Sequence, residues 1–184
     1  MATSDALLTA EQFAVFPDSD KMLELVCGRI VSMDLPGCRH GYVCTNIVCE
    51  LAEYVDIERI GTALCRSGIV THRNPDSVRG PDVSYYSFKR IPRGEIPDGY
   101  PTAPPELIFE VVSQHDVLEH LHAKMPEYLA AGVEHACIVD PDDETVTIYS
   151  SNRRVVRLET DAVFTLPDLL PNFAVPIARF FHAQ

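Results

Sequence analysis

The sequence predicts a single α+β domain over residues 1–184, built on a mixed sheet with an additional hairpin near its N-terminus. Three stretches carry that expectation. From Tyr42 to Ile57 the residues Val43, Ile47, Val48, Leu51 and Val55 recur at helical spacing. "ELIFEVVS" reads as a central strand and is followed by a helix from Asp116 to Ala131, stopped by Gly132. "HACIVDPDDETVTIYS" reads as a hairpin that turns at Pro141-Asp142-Asp143.

The other elements follow in chain order. Thr9 to Phe16 predicts a short helix, with Thr9 and Gln12 at capping-box spacing and Pro17, Asp18 and Ser19 ending it. "KMLELVCGRIVSM" gives two strands joined at Cys27-Gly28, where glycine supplies a positive φ. "LPGCRHG" reads as a loop ahead of the long helix. "TALCRSGIVTHR" and "VRGPDVSYYS" each read as one strand, with "NPDS" as the turn between them. "RIPRGEIPDGYPTAPP" is the longest irregular piece, and "RRVVRLE" adds an edge strand. The tail "PDLLPNFAVPIARFF" predicts a short helix plus an extended segment. Its Phe180 and Phe181 stay exposed unless something covers them, so a two-fold homodimer is expected.

Composition bounds the function. A hydrophobic content of 46% and a mean hydropathy of +0.01 fit a globular chain. No apolar run approaches the roughly 18 residues that a membrane span needs, and "MATSDALLTAEQF" lacks a basic start. The expectation is a cytoplasmic protein with no membrane partner. None of the six cysteines forms a C-x-x-C pair, and they read as reduced, mostly buried thiols. Cys38, His40 and Cys44 lie close in sequence, but two thiols and one imidazole do not complete a structural zinc site. The net charge of −12 and pI near 4.9 point away from binding nucleic acid through a basic face.

Two acidic residues stand where acids are costly. Glu110 interrupts the apolar run from Leu107 to Val112, and Asp82 follows Pro81 where a strand begins. Strands consecutive in sequence are neighbours about two-thirds of the time, so the two carboxylates can converge at one sheet edge. Like charges at that range repel unless one protonates or a divalent cation lies between them, and Mg²⁺ suits such oxygen donors. Asp82 also fits a plain turn residue, and Glu110 fits half of a structural ion pair. Helical spacing puts Lys124 at the border of the core-facing stripe with Val117, Leu121 and Tyr128, either reaching Glu110 or snorkelling to solvent.

"RGPDV", "PPELIFEVVSQHD", "KMPEYLAAGV" and "IVDPDDETVTIY", in that order, resemble the bacterial putative restriction endonuclease domain family within the PD-(D/E)XK nuclease superfamily. "LTAEQF", "LELVCGRI", "RHG" and "LPNFAVP" extend the resemblance over nearly the whole chain. It implies a restriction-endonuclease-like α/β/α core, a mixed sheet flanked by helices, with a divalent metal at one edge. Asp82 matches the Asp of the PD element and Glu110 the acid of the (D/E)XK element. Val112 stands where that motif has lysine, and Lys124 matches a lysine displaced onto the following helix. Glu24 matches a further acidic position near the metal, and His40 a histidine before the first long helix. The implied function is a metal-dependent endonuclease using Mg²⁺ or Mn²⁺ to hydrolyse DNA phosphodiester bonds. Asp82, Glu110 and Glu24 would be its metal ligands, with Lys124 in the catalytic set.

A second class stays open: a weak or inactive nuclease-fold module for protein association. Acidity favours it, as does Pro126, which removes a helical hydrogen bond beside Lys124. Arg66, Arg73, Arg79, Lys89, Arg90 and Arg93 are candidate phosphate contacts or ordinary solvated charges, and His115, His120 and His122 read as solvated.

Overall fold

Two helices cover opposite faces of a six-stranded mixed sheet in the computed structural model, which describes residues 6–17, 21–114, 116–152 and 154–182. The order is α1 (Ala10–Ala14), β1 (Met22–Val26), β2 (Arg29–Met33), α2 (Cys38–Glu58), β3 (Gly61–Cys65), β4 (Ile69–His72), β5 (Ser77–Arg79) and β6 (Val83–Ser87). There follow β7 (Leu107–Val111), α3 (Leu118–Ala131), β8 (His135–Asp140), β9 (Thr145–Ser150), β10 (Val155–Leu158), β11 (Val163–Leu166), β12 (Leu170–Pro176) and α4 (Ala178–Phe181). The large sheet runs β10-β9-β8-β7-β6-β3, a smaller one β2-β1-β5-β4, and β11 pairs with β12.

Every residue of β7 is buried because both of its faces are covered. Leu107, Phe109 and Val111 join the core beneath α2, with Val43, Ile47, Leu51 and Val55. Ile108 joins the core beneath α3, with Leu121, Met125 and Tyr128. β7 and β8 run parallel, so their connection must cross the sheet, and α3 is that crossover. The α+β class, the mixed sheet, its flanking helices and the additional hairpin are therefore all present.

Several local expectations hold. The Thr9 hydroxyl accepts from the Gln12 amide at 3.2 Å while the Gln12 side chain accepts from the Thr9 amide at 2.9 Å, closing the capping box. Pro17 follows α1, whereas Asp18 and Ser19 lie outside the described residues. Cys27 and Gly28 both take positive φ, 49° and 75°, the geometry of a two-residue hairpin turn. Gly132 caps α3 at φ 104°.

Others are corrected. Helix α2 begins at Cys38, so "CRHG" is its first turn rather than loop; Gly41 is accommodated there, its carbonyl accepting from the Thr45 hydroxyl at 2.8 Å. "TALCRSGIVTHR" is two strands in two different sheets, broken at Arg66, whose φ of 49° is left-handed. The next stretch divides likewise between β5 and β6 at Gly80-Pro81, where proline has no amide to continue the ladder. Helix α3 starts at Leu118 and continues through Pro126 without ending; Pro126 is exposed, so the carbonyl it leaves unpaired can turn to water.

The tail has the extended segment and the short helix expected of it, but not the exposed aromatic pair. "LPNFAVP" is a strand paired with β11, and the aromatic residues after it are covered from within the chain. Phe180 and Phe181 are buried, with Phe180 packed at ring-centroid distances of 5.8 Å from Phe164 and 6.3 Å from Phe109. The premise for expecting a dimer is thus removed. No helix among the described residues is long and apolar enough to cross a membrane.

Phe180 is 1% exposed and closes the core beneath α2. Phe180→Ala is expected to cost about 3–5 kcal/mol, as large-to-small changes in well-packed cores do. A urea melt showing a loss below about 1 kcal/mol would mean that the tail is not part of the core.

Candidate functional site

The crossover from the small sheet to the large one places an acid where the two meet. β6 starts just after Pro81, and Val83 pairs with Phe109, so one step further along this register Asp82 stands opposite Glu110. Residues directly opposite in an antiparallel pair present their side chains on the same face. The Asp82 Oδ2 accepts from the Val111 amide at 2.9 Å and lies 3.1 Å from the His40 Nε2. Backbone and imidazole together fix the orientation of that carboxylate. His40 is buried in the first turn of α2, which is how a residue from the opposite face of the sheet reaches Asp82.

Glu110 answers to a different set. Tyr128, from α3, donates its hydroxyl to Glu110 Oε1 at 2.5 Å, and the Lys124 Nζ stands 3.8 Å from the same oxygen. Burial pushes the Glu110 carboxyl up to about 7; Lys124 pulls against this, and the Asp82 charge adds to it. The Lys124 ammonium is also disfavoured by burial, but Glu110 and Glu24 outweigh that and hold its pKa above the ordinary value. Lys124 is therefore a fixed cation at neutral pH.

Glu24, from β1, brings the hairpin into the same site. Its Oε1 lies 3.3 Å from Lys124 Nζ and accepts weakly from the Gly80 amide at 3.4 Å, while its Oε2 accepts from Arg79 at 2.8 Å. Arg79 in turn is held by Glu127, at 3.0 and 2.7 Å, in a bidentate pair. Glu24, His40, Asp82, Glu110 and Lys124 all line one cavity of about 280 Å³, so these five candidate residues face the same space. Asp34 and Asp116 line it too, and Arg66 adds a cation.

Asp82 and Glu110 could hold a hard divalent cation. Their oxygen donors are the type Mg²⁺ and Mn²⁺ take, and a carboxyl raised by burial and a neighbouring carboxylate is one that such a cation would keep ionised. Glu24 fits less directly, because both of its oxygens are already shared with cations and an amide.

The sequence reading missed three partners. Tyr128 shares the α3 stripe with Lys124, one turn on, and that spacing was its signal. Arg79 was grouped with candidate phosphate contacts; instead it is half-buried and paired with both Glu24 and Glu127. Nothing in the local sequence links Glu127 to it, since they are 48 positions apart. Arg73 and Arg90 are likewise taken up by acids, Glu11 and Asp76 for one, Glu106 and Glu134 for the other. Lys89 and Arg93 are exposed. His120 is exposed as expected, His122 instead bonds the Tyr149 hydroxyl, and His115 lies outside the described residues. The cysteines are free but not mostly buried: Cys27, Cys38, Cys49 and Cys65 are exposed, Cys44 is half-buried and Cys137 is buried.

A family model, Uma2, described as a putative restriction endonuclease, matches residues 10–178. The fold is similar to that in the crystal structure of a putative nuclease belonging to DUF820 from Anabaena variabilis. That likeness has a TM-score of 0.80 at 22% identity and covers 95% of this chain and 97% of the other. No curated protein matches the chain.

Lys124 keeps Glu24 as a partner if Glu110 loses its charge, which decides between two outcomes for Glu110→Gln. A carboxyl whose folded pKa is raised to about 7 from 4.5 binds its proton more tightly folded than unfolded. Its ionisation therefore lowers stability as pH rises through that window. Glu110→Gln is expected to flatten this slope and to stabilise the metal-free protein above pH 7 by on the order of 1–3 kcal/mol. Denaturant melts at pH 5 and pH 8 measure it; a loss at both pH values would make Glu110 half of a structural ion pair.

Proposed function

The chain belongs to the Uma2 family, whose model describes a putative restriction endonuclease, and from that premise we propose a divalent-metal-dependent endonuclease that hydrolyses DNA phosphodiester bonds. The observation that carries this reading is the convergence of Asp82, Glu110 and Lys124 on one cavity, with Glu110 raised toward protonation. Asp82 and Glu110 would hold Mg²⁺ or Mn²⁺. The bound cation would offset phosphate charge and lower the pKa of a bound water.

The chain's own groups have separable tasks in this reading. The Val111 amide and His40 aim the Asp82 carboxylate, so its orientation is set before anything binds. Tyr128 holds Glu110 by one oxygen. Lys124, a fixed cation between two acids, would stabilise negative charge on the phosphoryl group rather than remove a proton. Glu24 would act through Lys124, holding its ammonium in the cavity while Arg79, itself held by Glu127, donates to Glu24. Arg66, which lines the cavity, would meet a phosphate.

The accessory-module reading retains one support. The net charge of −12 opposes a DNA backbone, and Arg73, Arg79 and Arg90, three of the candidate phosphate contacts, are paired with acids of the chain. Pro126 no longer favours it, because α3 runs through that residue and keeps Lys124 on the cavity.

Supercoiled-plasmid cleavage with Mg²⁺ or Mn²⁺ tests the proposal. Cleavage is expected in the wild type, abolished by a chelator, and reduced roughly a hundredfold or more in Asp82→Asn and in Lys124→Met. Unchanged cleavage in Asp82→Asn, or none in the wild type with either ion, would favour the accessory module.

A further inference from the structure

His40 serves Asp82 on one side and meets a thiol on the other. His40 and Cys44 stand one turn apart on α2, with the Cys44 sulfur 3.5 Å from Nδ1 and 3.9 Å from Nε2 of the imidazole. The imidazole Nε2 is 3.1 Å from Asp82 Oδ2, and donor atoms of all three residues lie within 4.8 Å of one another. Donors bonded to one tetrahedral Zn²⁺ at about 2.0–2.3 Å lie roughly 3.3–3.6 Å apart, so this trio needs only small adjustments to close on an ion.

The donor chemistry differs from that of the Asp82–Glu110 pair. Nitrogen, sulfur and one carboxylate oxygen form a set for a borderline-soft cation, whereas Mg²⁺ takes oxygens. A separate cavity of about 230 Å³, lined by His40, Cys44, Cys65, Arg66 and Asp82, gives solvent a route to the trio and room for a fourth, exchangeable ligand. Among the described residues the trio is the one group of three His, Cys, Asp or Glu side chains whose donor atoms lie close enough to share an ion.

We propose that His40, Cys44 and Asp82 form a second metal site, specific for Zn²⁺ and similar thiophilic divalent cations, which competes with the hard-cation site for the Asp82 carboxylate. Binding uses the neutral imidazole and the thiolate, and the thiol proton leaves to solvent. An ion on His40 and Cys44 takes the Asp82 Oδ2 that faces His40, and its charge repels a second cation a few ångströms away, so occupancy of the soft site weakens cation binding between Asp82 and Glu110. Zn²⁺ then acts as an inhibitor where Mg²⁺ or Mn²⁺ acts as cofactor; this consequence, unlike the binding itself, rests on the endonuclease reading.

Co²⁺ is the probe for the site, since thiolate ligation gives it a charge-transfer absorption in the near ultraviolet. Titration of the full chain should show that band saturating at one ion, with a tetrahedral visible spectrum. Cys44→Ala and Cys44→Ser, both helix-compatible and outside the proposed catalytic set, should lose the band. Zn²⁺ affinity by calorimetry should fall roughly tenfold or more in each. Zn²⁺ should raise the apparent Mn²⁺ dissociation constant in the wild type and leave it unchanged in the Cys44 variants. A band that is absent from the wild type, or that persists in both Cys44 variants because other thiols produce it, overturns the proposal. Failure of Mn²⁺ to bind the wild type would count against the endonuclease reading alone, because the cobalt band reports the thiol site without it.

Discussion

Four carboxylates, those of Glu24, Asp82, Glu110 and Glu127, are drawn into one small region, where Lys124 and Arg79 are the cations paired with three of them and the His40 imidazole meets the fourth. Charges of one sign cannot be removed from water together without compensation, so each acid is tied differently. Glu127 and Glu24 share Arg79 in short contacts and are structurally satisfied. Asp82 is met by an amide and an imidazole, and Glu110 by a phenol and a more distant ammonium. The compensation is weakest at Glu110, where burial prevails and the carboxyl is raised toward neutrality. An acid left in that condition beside a second acid is a feature that a core built only for stability would replace with an apolar residue.

The topology explains how these groups come together. The chain leaves the large sheet at Arg66, runs β4 and β5 in the small sheet, and returns at Gly80-Pro81. That excursion brings β1 into pairing with β5 and so carries Glu24 to the cavity, while the return delivers Asp82 opposite Glu110. The β7–β8 crossover then lays α3 over the same face and supplies Lys124, Glu127 and Tyr128 from a single helix. α2, on the other face, reaches Asp82 only through its first turn, at His40. The soft donor trio exists for the same reason, since Cys44 stands one turn after His40 on α2 and lines the same cavity.

Much of this was legible in the chain itself. An acid inside an apolar strand, a second acid after proline at the next strand's start, and a lysine on the border of a core-facing helix are local patterns, and local patterns follow from spacing and hydrophobicity. They singled out Glu110, Asp82 and Lys124, and the order of the surrounding segments added Glu24 and His40. What could not be read was partnership. Arg79 reads as a candidate phosphate contact or a solvated charge until β1 and α3 are folded against it, and Cys44 reads as part of an incomplete group with Cys38 and His40 until Asp82 arrives from a position 38 residues later. Phe180 and Phe181 read as exposed because the side chains that bury them, Phe109 and Phe164 among them, lie far away in sequence.

The sequence by itself determined the elements and their amphipathic faces, because helix and strand periodicities are set by neighbours a few residues apart. It also determined which side chains could do chemistry, because an ionisable group in an apolar run must be compensated wherever the chain takes it. The tertiary structure decided where two apparent strands break into four, since that depended on which sheet each half could pair with. It also decided which charges are neutralised and which stay poised. Desolvation and pairing depend on distances between residues remote in sequence, and those distances exist only once both sheets and both helices have closed on the cavity.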